Sequence, residues 1–293
     1  MTRRFLPILP GLLLLVAAGC ARHHSPVSPH WDGHGLPLHR IGERVQVRSE
    51  LSETTVAAVA EEFSQTVEQA AAVLACDLPE GTATIVVVRA PDGGGRRLLG
   101  IGGVAVPGPH ARVVVMVRDS LGDRDREVVR HEAVHWLVAQ RFGVTLPDGT
   151  WLPALPRWLD EGLATAFEMG GPGTTDNPLR RAQFNRLSRP HWRAMIGLRR
   201  TLGRHRGESL GSADYARCWA VVSYLLRENP GSLRALLQAR TAWLQTREQR
   251  RERPVHEREL VAACRHEFDR IVLAGRPLGA WFQQVSRRAR EPE

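Results

Sequence analysis

The residues best placed to do chemistry are His131, Glu132 and His135, in the run Arg130-His131-Glu132-Ala133-Val134-His135. Two histidines four apart on a helix lie about 40° apart in azimuth and one turn along the axis. Both imidazoles then point the same way and can bind one zinc ion. Glu132, about 100° round from His131, lies beside the metal rather than on it and can act as general base toward water. A second segment follows, Pro156-Arg157-Trp158-Leu159-Asp160-Glu161-Gly162-Leu163-Ala164, whose Glu161 lies 26 residues after His135. Pro156 suits the first position of a helix, and Glu161 on that helix can supply a third ligand. The resulting two-histidine, one-glutamate set leaves a fourth position open, as catalytic zinc requires. Gly162, lacking a side chain, is expected to let the two ligand helices approach closely. Glu168, seven residues beyond Glu161, falls on nearly the same face and can hydrogen-bond a ligand histidine from behind.

These residues need a scaffold, and the pattern of the chain predicts an α+β fold. A small mixed α/β subdomain is followed by a mainly helical one, with the site between them. Short strands are expected at 44–48, 84–88, 102–106 and 112–117, with turn or loop sequences at Asp92–Gly95 and Pro107–Pro109. Ser52 can cap a helix running to about Leu74, with Val56, Val59, Phe63, Val67 and Ala71 at helical spacing. From Asp123 onward the pattern is almost wholly helical: 123–142, 156–169, 178–188, 190–203, 213–228, 231–246, 256–274 and 278–289. Asp123, Asp125 and Glu127 suit the start of the histidine-bearing helix, and Gly143 its end. The loop 144–155 joins the ligand helices, and Gly170–Gly173 reads as a rim.

Composition narrows the chemistry. All 40 basic residues are arginine, against 31 acids, for a net charge of +9. Without lysine, Schiff-base and P-loop mechanisms are excluded. None of the four cysteines stands in a CxxC spacing, so a cysteine zinc site is not expected. The charge is uneven: residues 20–177 hold 14 arginines against 20 acids, and residues 178–293 hold 24 against 11. No helix-turn-helix, zinc-finger or basic-aromatic signature accompanies the arginines, so no nucleic-acid partner is expected.

The N-terminus reads as an address. Arg3 and Arg4 precede an apolar run from Phe5 to Gly19, shorter than a membrane span and suited to a signal peptide. It ends in Val16-Ala17-Ala18-Gly19-Cys20, which resembles the lipobox of bacterial lipoproteins. That resemblance implies a signal over 1–19, lipidation of Cys20, and membrane attachment through the N-terminal lipid. With Ala21 next, it also resembles an outer-membrane sorting signal of Gram-negative cells. Residues 20–43, with histidines at 23, 24, 30, 34 and 39, read as a flexible tether. The domain is expected over 44–293, divided into an α/β part (44–142) and a helical part (143–293). On such an anchored domain the basic tail is either a face toward anionic head groups or wall polymers, or a plain solvated surface. Cys76, Cys218 and Cys264 allow at most one internal disulfide, and the oligomeric state stays open.

Together, HExxH and WLDEGLATAFE resemble the gluzincin metallopeptidases. The second segment is similar to the WLNEGFA-type segment of the aminopeptidase N-like group, and closer to bacterial peptidase MA-like domains. The resemblance spans roughly 44–230 and implies a zincin-like fold. It implies one zinc per chain on His131, His135 and Glu161, with Glu132 as base in cleaving peptide bonds of a peptide or protein. Related proteins often place a tyrosine on a helix after the third ligand, which makes Tyr215 the candidate donor to the developing oxyanion; it also lies on an apolar stripe with Trp219, Val222 and Leu226. Arg217 is a further candidate there. Three departures matter. Val138 and Arg141 exclude a metzincin. Thr165 stands where the thermolysin pattern has Asp. The strand 102–106 lacks the glutamate with which aminopeptidases hold a substrate amine, which favours an endopeptidase whose strand pairs with an extended substrate. The expected function is therefore a lipid-anchored zinc endopeptidase of the cell envelope, working by zinc-activated water. The alternative is a non-catalytic envelope assembly or binding lipoprotein on the same scaffold.

Overall fold

The computed structural model describes residues 33, 35–90, 103–106, 111–145, 151–152, 155–169, 176–187, 191–204, 208–249 and 257–290. The expected lipidation site Cys20 lies outside the described residues, as do loop 92–95, turn 107–109 and rim 170–173. A five-stranded sheet is formed by β1 (Leu38–Ile41), β2 (Val45–Arg48), β3 (Ala83–Arg89), β4 (Gly103–Val106) and β5 (Arg112–Val117). Its order is β1-β2-β3-β5-β4. The β2–β3 and β3–β5 pairs are parallel, and β1 and β4 flank them antiparallel. The two central strands, ATIVVVR and RVVVMV, are β-branched almost throughout because sheet interiors favour such residues on both faces. In β2 only Val45 and Val47 are buried, and Gln46 and Arg48 are half-covered, the alternation of a strand with one face on the core. The sequence assigns residues up to 43 to the tether, but Leu38–Ile41 pairs with β2 in register. A four-residue edge strand carries too little periodicity to stand out beside a Pro/Gly-rich stretch.

The crossover from β2 to β3 is α1 (Glu53–Leu74). Its N-cap Ser52 accepts a hydrogen bond from the Thr55 N–H at 3.3 Å. Its buried face carries Val56, Val59, Phe63, Val67 and Leu74. The helix α2 (Asp123–Phe142) packs on α1. Phe63 meets Trp136 edge-on at 5.4 Å. The buried carboxylate of Glu62 takes Arg126 and Arg130, each at 2.5 Å, pinning the first half of α2. A two-stranded ribbon, β6 (Val144–Thr145) with β7 (Trp151–Leu152), occupies the connection expected as a loop.

The remaining elements among the described residues are helices: α3 (Arg157–Phe167), α4 (Pro178–Leu187), α5 (His191–Leu202), α6 (Ser212–Glu228), α7 (Pro230–Gln249), α8 (Glu257–Glu267) and α9 (Leu278–Arg288). A π-helical turn, Phe268–Leu273, extends α8. Edge-on aromatic pairs lock this part: Trp158–Phe268 at 5.6 Å, Phe268–Trp281 at 5.3 Å and Phe184–Phe282 at 6.0 Å. Every residue of α3 is buried, with α2 on one side and α6 against another. Gly162 does permit a close approach, but of α6 rather than of α2. A Cβ there would lie 2.5 Å from Val222 Cγ2 and 2.8 Å from the Cys218 carbonyl oxygen. Backbone cannot swing aside as a side-chain tip can. Gly162→Ala is expected to destabilise the fold by about 1–3 kcal/mol through overpacking, read as a lower urea midpoint at unchanged slope. A midpoint equal to wild type would show that α6 yields.

Candidate metal centre

The centre is assembled from α2, α3 and β4. The first turn of α2 is stabilised by Asp123 and Asp125 near the positive end of the helix dipole, and the Gly122 N–H donates to Asp125 Oδ2 at 3.2 Å. Two turns on, His131 and His135 are 9% and 8% exposed, with their Nε2 atoms 3.1 Å apart. Pro156 caps α3 rather than standing inside it, its carbonyl accepting from the N–H groups of Leu159 and Asp160 at 3.0 and 3.2 Å. That start carries Glu161 to the histidines: Glu161 Oε2 lies 3.5 Å from each Nε2. Oε2 is buried, beside both imidazoles. His131, His135 and Glu161 can hold a metal ion, their ligand atoms lying within 4.8 Å of one another. The three residues picked from spacing are thus the three the fold brings together.

Sequence reasoning missed Asp160. His135 Nδ1 lies 2.9 Å from Asp160 Oδ1. An ionised carboxylate only accepts, so Nδ1 carries the hydrogen and Nε2 keeps its lone pair for the site. Sequence offers one signal for this, the acid directly before the third ligand. Successive side chains on a helix diverge by about 100°, enough for Glu161 to reach the Nε2 edge while Asp160 takes the Nδ1 edge. Glu168, expected behind a ligand histidine, comes within 3.8 Å of His131 Nδ1, longer than a hydrogen bond. Its carboxylate is engaged by Asn177 Nδ2 at 3.0 Å and by Arg180 at 3.3 Å. Arg157, also missed, places its buried Nε 3.6 Å from Glu161 Oε1 and donates to the Glu208 carbonyl. Asp160→Ala is expected to weaken metal binding about 10–100-fold, read by competition with a chelator. Unchanged affinity would assign Asp160 to packing alone.

Glu132 is 4% exposed and packs beneath β4, where the backbone of Ala105 donates a hydrogen bond to its carboxylate. Gly103 makes this possible: a Cβ there would fall 2.8 Å from Glu132 Cγ and 2.9 Å from Val128 Cγ1. Burial, helped by the charge of Glu161, raises the Glu132 carboxyl above its ordinary range, against the pull of the two histidines. Burial pushes Glu161 up as well, but hydrogen bonds and charge from His131 and His135 outweigh it and hold that carboxyl well below the usual range. Two carboxylates on different helices of one centre are thereby driven in opposite directions, an arrangement that can separate a ligand from a base.

Tyr215 sits half-buried on α6, its ring under the Arg180 guanidinium at 5.2 Å. Arg180 also holds Glu168, which flanks His131, so two residues link Tyr215 to a candidate ligand. Arg217 is committed elsewhere: it pairs with Asp214 at 3.2 Å and lies against Gly197. The three described cysteines, Cys76, Cys218 and Cys264, are free thiols.

Residues 126–243, which contain all three candidate ligand residues and Glu132, match a family described as "Protein of unknown function (DUF1570)". No curated protein matches the chain.

Proposed function

We propose that the chain is a zinc-dependent metallopeptidase, of endopeptidase type, held in the cell envelope by an N-terminal lipid. The observation that carries this reading is the donor triangle His131 Nε2, His135 Nε2 and Glu161 Oε2, with edges of 3.1, 3.5 and 3.5 Å. Zinc bonded tetrahedrally at about 2.0–2.1 Å spans donor edges of about 3.3–3.4 Å, so the triangle needs little adjustment to hold it. Two neutral imidazoles and a carboxylate are also the donor chemistry that zinc takes. When bound, zinc supplies a Lewis acid for a carbonyl oxygen and makes water acidic enough to ionise near neutral pH.

The chain's own residues supply the rest. Glu132 Oε2 is buried and without a hydrogen-bond partner, free to take the proton of the attacking water and deliver it to the leaving amine. The Ala105 N–H holds the carboxylate in place while it does so. Asp160 and Arg157 orient His135 and Glu161. Among the described strands β4 is the last of the sheet, so its outer edge can pair with an extended peptide near Glu132. The apolar run ending at Cys20 supports export and lipid attachment.

A peptide-library digest with the zinc-loaded chain tests the reading. Internal peptide bonds should be cut, and cutting should stop on chelation and return with zinc. A zinc-loaded chain that cuts nothing would favour the non-catalytic envelope role instead.

A further inference from the structure

Residues 177–207 contain nine arginines and no aspartate or glutamate. Several of these arginines are spent inside the fold: Arg180 on Glu168, Arg181 on Asp176 and Arg204 on Asp214. Those on the outward side of α5 are not. Leu198, Thr201 and Leu202 turn inward and are buried, whereas Ile196, Arg199 and Arg200 are exposed on the opposite side, at the i, i+3, i+4 spacing of one helix face. Neither Arg199 nor Arg200 has an ion-pair partner among the described residues. Beside them stands Ile196, 60% exposed and the most open large apolar side chain described. Leu179 on α4, in the same acid-free stretch, is the next at 51%.

We infer that the outward face of α5 is a docking surface for an anionic lipid bilayer. A cationic helix face with one projecting apolar side chain has the layout of an interfacial helix: arginines meet the head groups and the apolar side chain enters the boundary beneath them. Charge alone would serve any polyanion, but Ile196 gains nothing from a fully solvated phosphate chain and loses its water contact in a bilayer. The inference is independent of the metal centre, since no residue of the face touches it.

The test uses the full chain with Cys20→Ser, Cys76→Ser and Ile196→Cys carrying an environment-sensitive fluorophore. The remaining thiols tolerate this: Cys218 and Cys264 are buried, and burial pushes the Cys264 thiol up to about 12. A control carries the probe at exposed Glu61 on α1. Vesicles containing phosphatidylglycerol should shift the emission of the probe at 196 to the blue, and phosphatidylcholine vesicles should not. The probe at 61 should stay silent even when the apolar N-terminus inserts. Each arginine beside an anionic surface contributes about fivefold to partitioning, so R199Q with R200Q should weaken it about thirtyfold. High salt should mimic that loss. A silent probe at 196, an equal response at 61, indifference to lipid charge or to R199Q/R200Q, or an equal shift with duplex DNA would each overturn the inference.

Discussion

Glu132→Ala is expected to lower kcat/KM for peptide cleavage by about 10²–10⁴-fold while leaving zinc bound. The substitution removes the carboxylate whose Oε2 has no other partner, but touches none of the three ligand atoms. Metal content by mass spectrometry, beside the rate on one cleaved peptide, separates the two effects. A variant as active as wild type would sink the assignment of the base. Loss of both metal and rate would make Glu132 a structural support instead. The amide Glu132→Gln adds a readout that a structural role would not give. In the metal-free chain, burial raises the Glu132 carboxyl above its unfolded value. The folded state then binds its proton more tightly, so ionising it costs stability as pH rises beyond the unfolded carboxylate range, about 4.3. Glu132→Gln should therefore raise the melting temperature of the metal-free chain at neutral pH, and the gain should vanish below that range.

How far the sequence reveals this arrangement depends on how local each contact is. His131 and His135 lie one helical turn apart, so their shared direction follows from helix geometry before any tertiary contact is known. Glu161 is legible because its helix opens on Pro156 and its ligand type completes a zinc set. The α+β division was legible for the same reason, since period-2 and period-3.6 patterns are read within short windows. Contacts set by helix crossing were not. Nothing within α3 says that Gly162 meets α6, that Asp160 meets His135, or that Glu168 turns to Asn177 and Arg180. Those choices follow from how α2, α3 and α6 cross, and crossing angles rest on packing of side chains far apart in sequence. The arginine-only tail shows the same limit. Its net charge is plain in composition, but ion pairs with Glu168, Asp176 and Asp214 consume part of it, and only the fold shows that Arg199 and Arg200 remain open beside Ile196.

Glu161→Ala should abolish stable metal binding, with a loss exceeding the about 10–100-fold that accompanies removal of a partner outside the ligand set. The two histidines that remain share one helix and present two nitrogens on one side of the ion. The carboxylate alone comes from the second helix, and so it alone ties metal occupancy to the packing of α3 on α2. Calorimetry with zinc should show about one site per wild-type chain and none in the variant over the same range. Stability gives an independent check. A ligand present at a hundred times its dissociation constant stabilises the folded chain by about 2.7 kcal/mol, and a hundredfold weaker site at the same concentration leaves about 0.4 kcal/mol. The comparison has to be made within each protein, with and without zinc. The metal-free baseline also moves: removing Glu161 leaves Arg157 without the carboxylate 3.6 Å from its Nε, a buried cation deprived of its neighbour. Glu132→Ala should keep the full zinc-dependent shift, so the two variants divide the site into one acid that holds the metal and one that works beside it. Equal zinc-dependent shifts in wild type and Glu161→Ala would show that the metal sits elsewhere, and the donor triangle would then be a hydrogen-bonded cluster without an ion.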